Sequence, residues 1–313
     1  MKTILITGSN GLLGQKLIYA LLERNHKGAD WNIIATARGE NRLKVREGYT
    51  YRSLDITQPN EIRTVFSEVM PDVVINTAAM TNVDICESKR EEAQLLNATS
   101  VKYMTDVLDD LRDNDPIINT HFIHLSTDFI FDGANGPYSE EDVPNPLSHY
   151  AATKLEGEEI TKASRARWSI IRTIIVYGIA DDMSRSNLVL WAKGALEKGQ
   201  KINVVDDQFR SPTLAEDLAE GCILCAEQGA EGIFNISGET TYSILELVHM
   251  VAEFWKLDKS LIVPVKSETI NQPAKRPPRT GFIIDKAKQI LGYKPRTFEE
   301  GLAILDQQLG SKN

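Results

Sequence analysis

The chain has little cysteine: three residues among 313. Three thiols cannot staple a chain of this size, so a disulfide scaffold is excluded and a reducing cytosol is the expected compartment. It also lacks any uninterrupted apolar run of about 18 residues, which argues against a membrane span. The opening Met1-Lys2-Thr3-Ile4-Leu5-Ile6-Thr7-Gly8 is short, strand-like and broken at once by glycine, unlike a secretory leader. There is no excess of basic residues: Lys and Arg number 35 against 44 Asp and Glu, a net charge of −9. A surface that acidic repels phosphate backbones, so no nucleic-acid partner is expected. The five histidines show no metal-ligand spacing, and no metal is expected. No internal repeat or low-complexity tract is present.

What remains is a globular composition, 42% hydrophobic and 25% charged, with 20 Gly and 12 Pro. At roughly 100–200 residues per domain, the length corresponds to one large or two modest domains. In the first half, apolar runs rich in Ile and Val at Lys2–Thr7, Asn32–Ala37, Asp72–Asn76 and Asn119–Leu125 alternate with helical patterns at Leu12–Arg24, Asn60–Val69 and Glu91–Leu111. Strand-helix alternation with near-continuous apolar strands predicts an α/β fold, a Rossmann-type doubly wound parallel sheet covered on both faces. After Tyr177 the regularity fades. Helices are expected near Asn187–Lys198, Leu214–Glu227 and Ser243–Trp255, a strand near Lys201–Val205, and no regular element in the Pro-rich stretch Pro264–Pro278. The expected division is a dinucleotide-binding domain over 1–177, with about 203–235 returning to it, and a smaller C-terminal α/β substrate-binding cap from 178–202 and 236–313.

The strongest local signal is Thr7-Gly8-Ser9-Asn10-Gly11-Leu12-Leu13-Gly14, between the first strand and the first helix. Gly8 permits a tight turn, Gly11 lets a pyrophosphate approach the backbone, and Gly14 allows close helix-strand packing. The helix start at Leu12 and Leu13 offers free N–H donors and a positive dipole end, with Asn10 in the turn. The spacing is G-x-x-G-x-x-G rather than G-x-G-x-x-G. The second strand ends at Arg38, without the acid that binds a ribose 2′-hydroxyl. This points to NADP(H), with NAD(H) and a merely solvated arginine left open. Asp55 and Ile56 follow the third strand and flank the expected adenine site. Ala78, Ala79 and Met80 follow the fourth, where small residues let a cofactor lie against the backbone.

The catalytic candidate is Tyr150-Ala151-Ala152-Thr153-Lys154. If a helix starts near Ser148, positions i and i+4 project from one face. A free tyrosine titrates near pH 10, and a neighbouring lysine charge favours the phenolate and brings the proton within reach of neutral-pH chemistry. Thr127, at the end of the fifth strand, is placed to bond the same carbonyl oxygen that Tyr150 protonates, because open α/β sheets bind ligands at the carboxyl ends of their strands.

These motifs resemble those of extended short-chain dehydrogenases/reductases, and more narrowly the dTDP-4-dehydrorhamnose reductase group. The similarity runs almost end to end: Thr7–Gly14, Leu54-Asp55-Ile56, Asn76–Ala79, Asn97, Ser126–Gly133, Tyr150–Glu158, Asp207–Thr213 and Arg276-Pro277. The resemblance implies that Thr127, Tyr150 and Lys154 form the triad and that Lys154 also binds the nicotinamide ribose. It further implies that Asn97 supports an active-site water network, and that hydride passes to C4 of a keto sugar while Tyr150 gives a proton. Thr127, Asp128, Ile175 and Arg276 fall on the substrate side, the partner is a nucleotide-sugar, and homodimers are common in the superfamily. Two positions depart from the group. Phe129 stands where a tyrosine is usual, and Ile175 stands where rhamnose-forming enzymes carry a tryptophan that stacks on the sugar. Phe129 also replaces the Glu of sugar dehydratases, which counts against dehydration. An epimerase remains open, as does a non-catalytic NADP-binding subunit similar to the β subunit of methionine adenosyltransferase.

Three features invite other readings. Cys222 and Cys225 match C-x-x-C but fall in an amphipathic helix, and buried packing is favoured. Lys275–Arg279 is read either as a phosphate clamp centred on Arg276 or as a solvated loop. Trp168, Trp191 and Trp255 are expected in the core or at the seam between domains.

Overall fold

The structure is a computed structural model that describes residues 1–182 and 186–310. In chain order the elements are β1 (Lys2–Thr7), α1 (Leu12–His26), β2 (Trp31–Ala37), β3 (Thr50–Ser53), α2 (Pro59–Val69), β4 (Val73–Asn76), α3 (Val83–Ser88), α4 (Arg90–Gln94), α5 (Ser100–Asn114), β5 (His121–Thr127), α6 (His149–Ala163), β6 (Arg167–Thr173) and β7 (Val176–Tyr177). They continue with α7 (Leu188–Glu197), β8 (Ile202–Val205), β9 (Phe209–Arg210), β10 (Thr213–Leu214), α8 (Ala215–Gln228), β11 (Gly232–Asn235), β12 (Tyr242–Ser243), α9 (Ile244–Phe254), β13 (Ile262–Val265) and α10 (Phe298–Gly310).

Seven strands form one sheet in the order β11-β6-β5-β4-β1-β2-β3, and every pairing in it is parallel. Alternate residues of each strand face opposite sides, as the pleat requires. Ile4 and Ile6 pack with Leu17, Ile18 and Leu21 of α1 and with Leu218 and Cys222 of α8. Leu5 packs with Val65 and Phe66 of α2 and with Met104 and Leu108 of α5. The central strands β1 and β4 and most of β2 are apolar and buried because both of their faces are covered, whereas the edge strand β3 is polar and partly exposed. The doubly wound architecture read from the sequence is the one found. A separate apolar core gathers α7, α9, α10, β8 and β13.

Several local expectations need correction. The helix expected over Glu91–Leu111 is interrupted: α4 passes through a π-turn at Leu95–Thr99 before α5 begins. Pro264 lies inside β13, paired in parallel with Val204. Proline is tolerated there because a two-stranded sheet has only edges. Val204 and Val205, placed by sequence with the returning segment 203–235, lie in the smaller core. Conversely, Phe282, Ile284, Leu291 and Tyr293, placed in the cap, pack beneath the large sheet. Cys222 and Cys225 are buried helix-packing residues. Trp191, expected in the core or seam, is 41% exposed on α7.

Candidate active site

Strand register aligns Thr7 of β1 with Asn76 of β4, and Asn76 with His124 of β5. The glycine turn, the segment Ala78–Met80 and the segment Ser126–Asp128 therefore leave the sheet at the same carboxyl edge. That edge flanks the point where strand order reverses, between β1 and β4. Gly8 has φ +67°, and a Cβ there would sit 2.8 Å from Thr77 Oγ1 and 2.9 Å from Ala78 N. A Cβ on Gly14 would come within 2.6 Å of Ser9 Cα, whereas one on Gly11 would meet only the Gly8 carbonyl, at 3.2 Å. The close packing therefore falls on Gly8 and Gly14, and Gly11 is the open position.

Gly11 is the N-cap of α1; it supplies no side-chain cap, and the first turn holds no acid. The N–H groups of Leu12 and Leu13 thus stand at an uncapped positive helix end. Beside them Ser9 Oγ is buried without a hydrogen-bond partner. Orphaned donors around a bare backbone fit the pyrophosphate of a dinucleotide. Arg38 is exposed at the end of β2. The Asn10 side chain is committed elsewhere than expected: it donates to the Glu40 carbonyl at 2.8 Å and accepts from Arg42 N at 2.9 Å, pinning the loop after β2. Asp55 likewise closes its own turn through Thr57 N and Oγ1, and Ile56 is buried in the sheet core.

Ser148 caps α6 by accepting from Ala151 N. The helix therefore begins at His149 and sets Tyr150 and Lys154 one turn apart; both are buried. Tyr150 and Thr127 share a hydrogen bond that favours the phenolate, but burial outweighs it and raises the phenol's pKa above the ordinary tyrosine value, with Asp128 adding to the rise. Lys154 does not lower it, contrary to the sequence expectation. Its Nζ donates to the Leu125 carbonyl at 2.5 Å, and burial brings the amine down to about 8. Desolvation is the largest influence on each of the two groups. Asn97, on the π-turn, bridges both sides of the site: it accepts from Met80 N at 2.8 Å, donates to Met80 O at 3.1 Å, and donates to Thr153 Oγ1 at 3.1 Å. Inserting one residue into a helical turn is a common way to aim a functional side chain.

On the other side of Thr127, Asp128 is fully buried. It accepts from the Thr127 hydroxyl at 3.1 Å and from the Thr280 hydroxyl, with Arg210 Nε 3.8 Å away. Burial raises the carboxyl's pKa, against the pull of Arg210 and the two hydroxyls. Arg276 departs from the free phosphate clamp expected of it: its guanidinium holds Asp84 in two hydrogen bonds, of 3.1 and 2.6 Å, and the Ala274 carbonyl at 3.0 Å. Ile175 has φ +30°, rare for a β-branched residue, and packs against both the larger and the smaller core. Among the described residues no cluster of His, Cys, Asp or Glu is placed to hold a metal ion.

Residues 1–310 match the family described as the RmlD substrate binding domain. The chain belongs to that family. A probable low-salt glycan biosynthesis reductase of Haloferax volcanii is 30% identical over 305 residues, covering 96% of each chain. The crystal structure of dTDP-4-dehydrorhamnose reductase from Bacillus anthracis in complex with NADP superposes with a TM-score of 0.82 at 26% identity, covering 98% of this chain and 100% of that one. Methionine adenosyltransferase 2 subunit beta of Bos taurus is 27% identical over 301 residues, 95% of this chain and 84% of that one.

Within this RmlD-family chain, five residues around the site were given no role by the sequence reading. Arg210 and Thr280 meet Asp128 from segments 82 and 152 positions further on, so no local spacing reveals them. Glu158 and Arg172 form a fully buried ion pair behind the site, with hydrogen bonds of 3.0 and 2.8 Å. His124 was read only as part of the fifth strand; its apolar flanks give no signal of the polar contacts it makes.

Proposed function

We propose that this protein is an NADPH-dependent reductase of a nucleotide-activated 4-keto sugar, of the dTDP-4-dehydrorhamnose type. The observation that carries this reading is the Thr127–Tyr150 hydroxyl pair, with Lys154 one helical turn on, at the strand edge that also bears the uncapped glycine turn. When bound, the nicotinamide dinucleotide supplies the hydride. The chain's own part is to orient the ketone and deliver the proton. Tyr150 offers its hydroxyl to the carbonyl oxygen, and Thr127, whose single proton points at Asp128, would turn that proton to the same oxygen as charge develops there. Burial keeps Tyr150 protonated at neutral pH, the state a proton donor needs, and the developing alkoxide is basic enough to take the proton from it. Leu12 and Leu13 N–H, Ser9 and the bare Gly11 would hold the pyrophosphate, and Arg38 the 2′-phosphate that distinguishes NADP from NAD. Asp128, kept in place by Thr280 and Arg210, orients Thr127.

A second reading is a non-catalytic NADP-binding subunit. It is favoured by the similarity to the methionine adenosyltransferase subunit, and by Phe129 and Ile175 standing where the reductases carry a hydroxyl and an indole. Oxidation of NADPH with a panel of 4-keto nucleotide-sugars separates the two. Turnover supports the reductase; tight NADPH binding without turnover supports the subunit. Interconversion of 4-epimers with no net NADPH consumption would instead favour an epimerase.

A further inference from the structure

Behind Lys154 runs a chain of buried polar side chains. Lys154 Nζ lies 3.4 Å from Nε2 of His124, and His124 Nδ1 lies 3.1 Å from Nδ2 of Asn76. Asn76 Oδ1 accepts from the Thr7 hydroxyl at 2.6 Å, and Thr7 Oγ1 also receives the Ala78 N–H at 3.3 Å. All four side chains belong to residues no more than 3% exposed. A Cβ on Gly157 would come 3.1 Å from the imidazole Nε2, so the bare backbone of α6 at that point is what lets the helix close over the ring. The chain thus links the strand end at the glycine turn, through β4 and β5, to the amine on α6.

The donor and acceptor inventory constrains this chain tightly. An ammonium only donates, a neutral imidazole has one donor and one acceptor nitrogen, and an amide donates only from nitrogen. With Thr7 donating to Asn76 Oδ1, the amide nitrogen must donate to His124 Nδ1, which leaves the ring proton on Nε2, facing Lys154. An Nε2–H suits the lone pair of a neutral amine and opposes an ammonium. To accept from an ammonium the chain has to reverse: proton on Nδ1, amide turned over, Thr7 accepting. The ring tautomer and the charge on the amine are therefore locked together.

We infer that His124 is a positioning residue that acts through Lys154: an imidazole whose tautomer, relayed through Asn76 and Thr7, is coupled to the charge on the amine and holds it in orientation one helical turn from Tyr150. This inference rests on the place given to Lys154 in the reductase reading. The charged and titratable groups packed around the pair are Tyr150 and Glu158 on α6, Glu158 being ion-paired with Arg172 of β6, and Asp128 beyond Thr127. Burial pushes His124 well below the usual histidine range while the Lys154 amine comes to about 8, so within the neutral range the amine titrates and the ring does not.

The test is nitrogen NMR of the full chain labelled with 15N-histidine, titrated from below to above the Lys154 midpoint near pH 8. The His124 signals are identified by their loss in His124→Gln. The expected result is a ring neutral throughout that passes from the Nδ1–H to the Nε2–H tautomer as pH rises, a transition absent in Lys154→Met. A single tautomer at every pH, or a transition that survives in Lys154→Met, overturns the inference. Kinetics give a second readout. His124→Gln keeps a polar atom facing Lys154 and should stay near native turnover. His124→Leu should lose at least roughly tenfold in kcat, the scale of outer-shell partners at metal sites, and shift the pH profile. Superimposable pH profiles for the two variants and the native chain also overturn it. A native chain that turns over no 4-keto sugar defeats the reductase reading, and the tautomer titration still decides the inference.

Discussion

The rings of Phe129 and Tyr150 meet edge to face, with centroids 6.1 Å apart and planes at 78°. Phe129 also carries the Arg210 guanidinium over its ring, 5.5 Å from the centroid. A ring without a hydroxyl thus joins the proposed proton donor, Tyr150, to the buried Asp128–Arg210 pair, and contacts the Tyr150 ring by packing rather than by a polar bond. Tyr150→Phe accordingly removes one oxygen and leaves the packing intact. We expect unchanged NADPH affinity and thermal stability, with kcat lowered by about 10²–10⁴, the usual contribution of a positioned acid. Titration calorimetry with NADPH and steady-state rates measure the two quantities, and unchanged turnover would remove Tyr150 from its role.

Glycines 11 and 14 should respond to alanine in opposite ways. At Gly14 the added Cβ meets backbone within 2.6 Å, so Gly14→Ala is expected to destabilise the fold by about 1–3 kcal/mol, as overpacking does. At Gly11 the new methyl meets only the Gly8 carbonyl, at 3.2 Å, a contact relieved by a shift of a few tenths of an ångström, and it occupies the open face of the turn. Gly11→Ala should melt near the native temperature and bind NADPH more weakly. Thermal melts paired with NADPH titrations check both.

Arg38 is exposed at the end of β2, beside the loop that Asn10 pins. A charge-assisted bond to phosphate is worth about 1.5–3 kcal/mol, or roughly 10- to 100-fold in affinity. Arg38→Ala should weaken NADPH binding by that factor and leave NADH binding nearly unchanged. Equal loss for both coenzymes would place the 2′-phosphate elsewhere.

Acid stability follows from two buried histidines. Burial lowers His121 to about 4 and His124 well below its ordinary value. Because the folded pKa lies below the unfolded one, the unfolded chain takes up the proton first. The stability contribution is therefore fully present above pH 6.5 and is lost as pH falls toward 4. His121, bonded to Ser169 Oγ at 2.7 Å, accounts for up to about 3 kcal/mol of this fall. Denaturant unfolding across that range should show the decline, and His121→Gln should flatten it.

The sequence made most of the sheet legible because strands covered on both faces carry uninterrupted Ile and Val. The Tyr150–Lys154 pair was legible because helical spacing alone puts i and i+4 on one face. Side-chain commitments made across the chain were not. Nothing near Asn10 announces that it holds Glu40 and Arg42, and nothing near Arg276 announces Asp84, 192 positions away. The π-turn at Asn97 was hidden because a one-residue insertion barely disturbs apolar periodicity. The depression expected of the Tyr150 pKa failed for a related reason: spacing reports the proximity of the lysine, while burial, which decides the outcome, depends on the whole fold.

The most direct test of the account supplies NADPH deuterated at nicotinamide C4, on the face the enzyme uses, together with dTDP-4-dehydrorhamnose, and reads the product by mass spectrometry. Deuterium found on C4 of the reduced sugar, at a rate that collapses in Tyr150→Phe, is the result predicted. NADPH bound but not consumed, or a reduced sugar without the label, would contradict it.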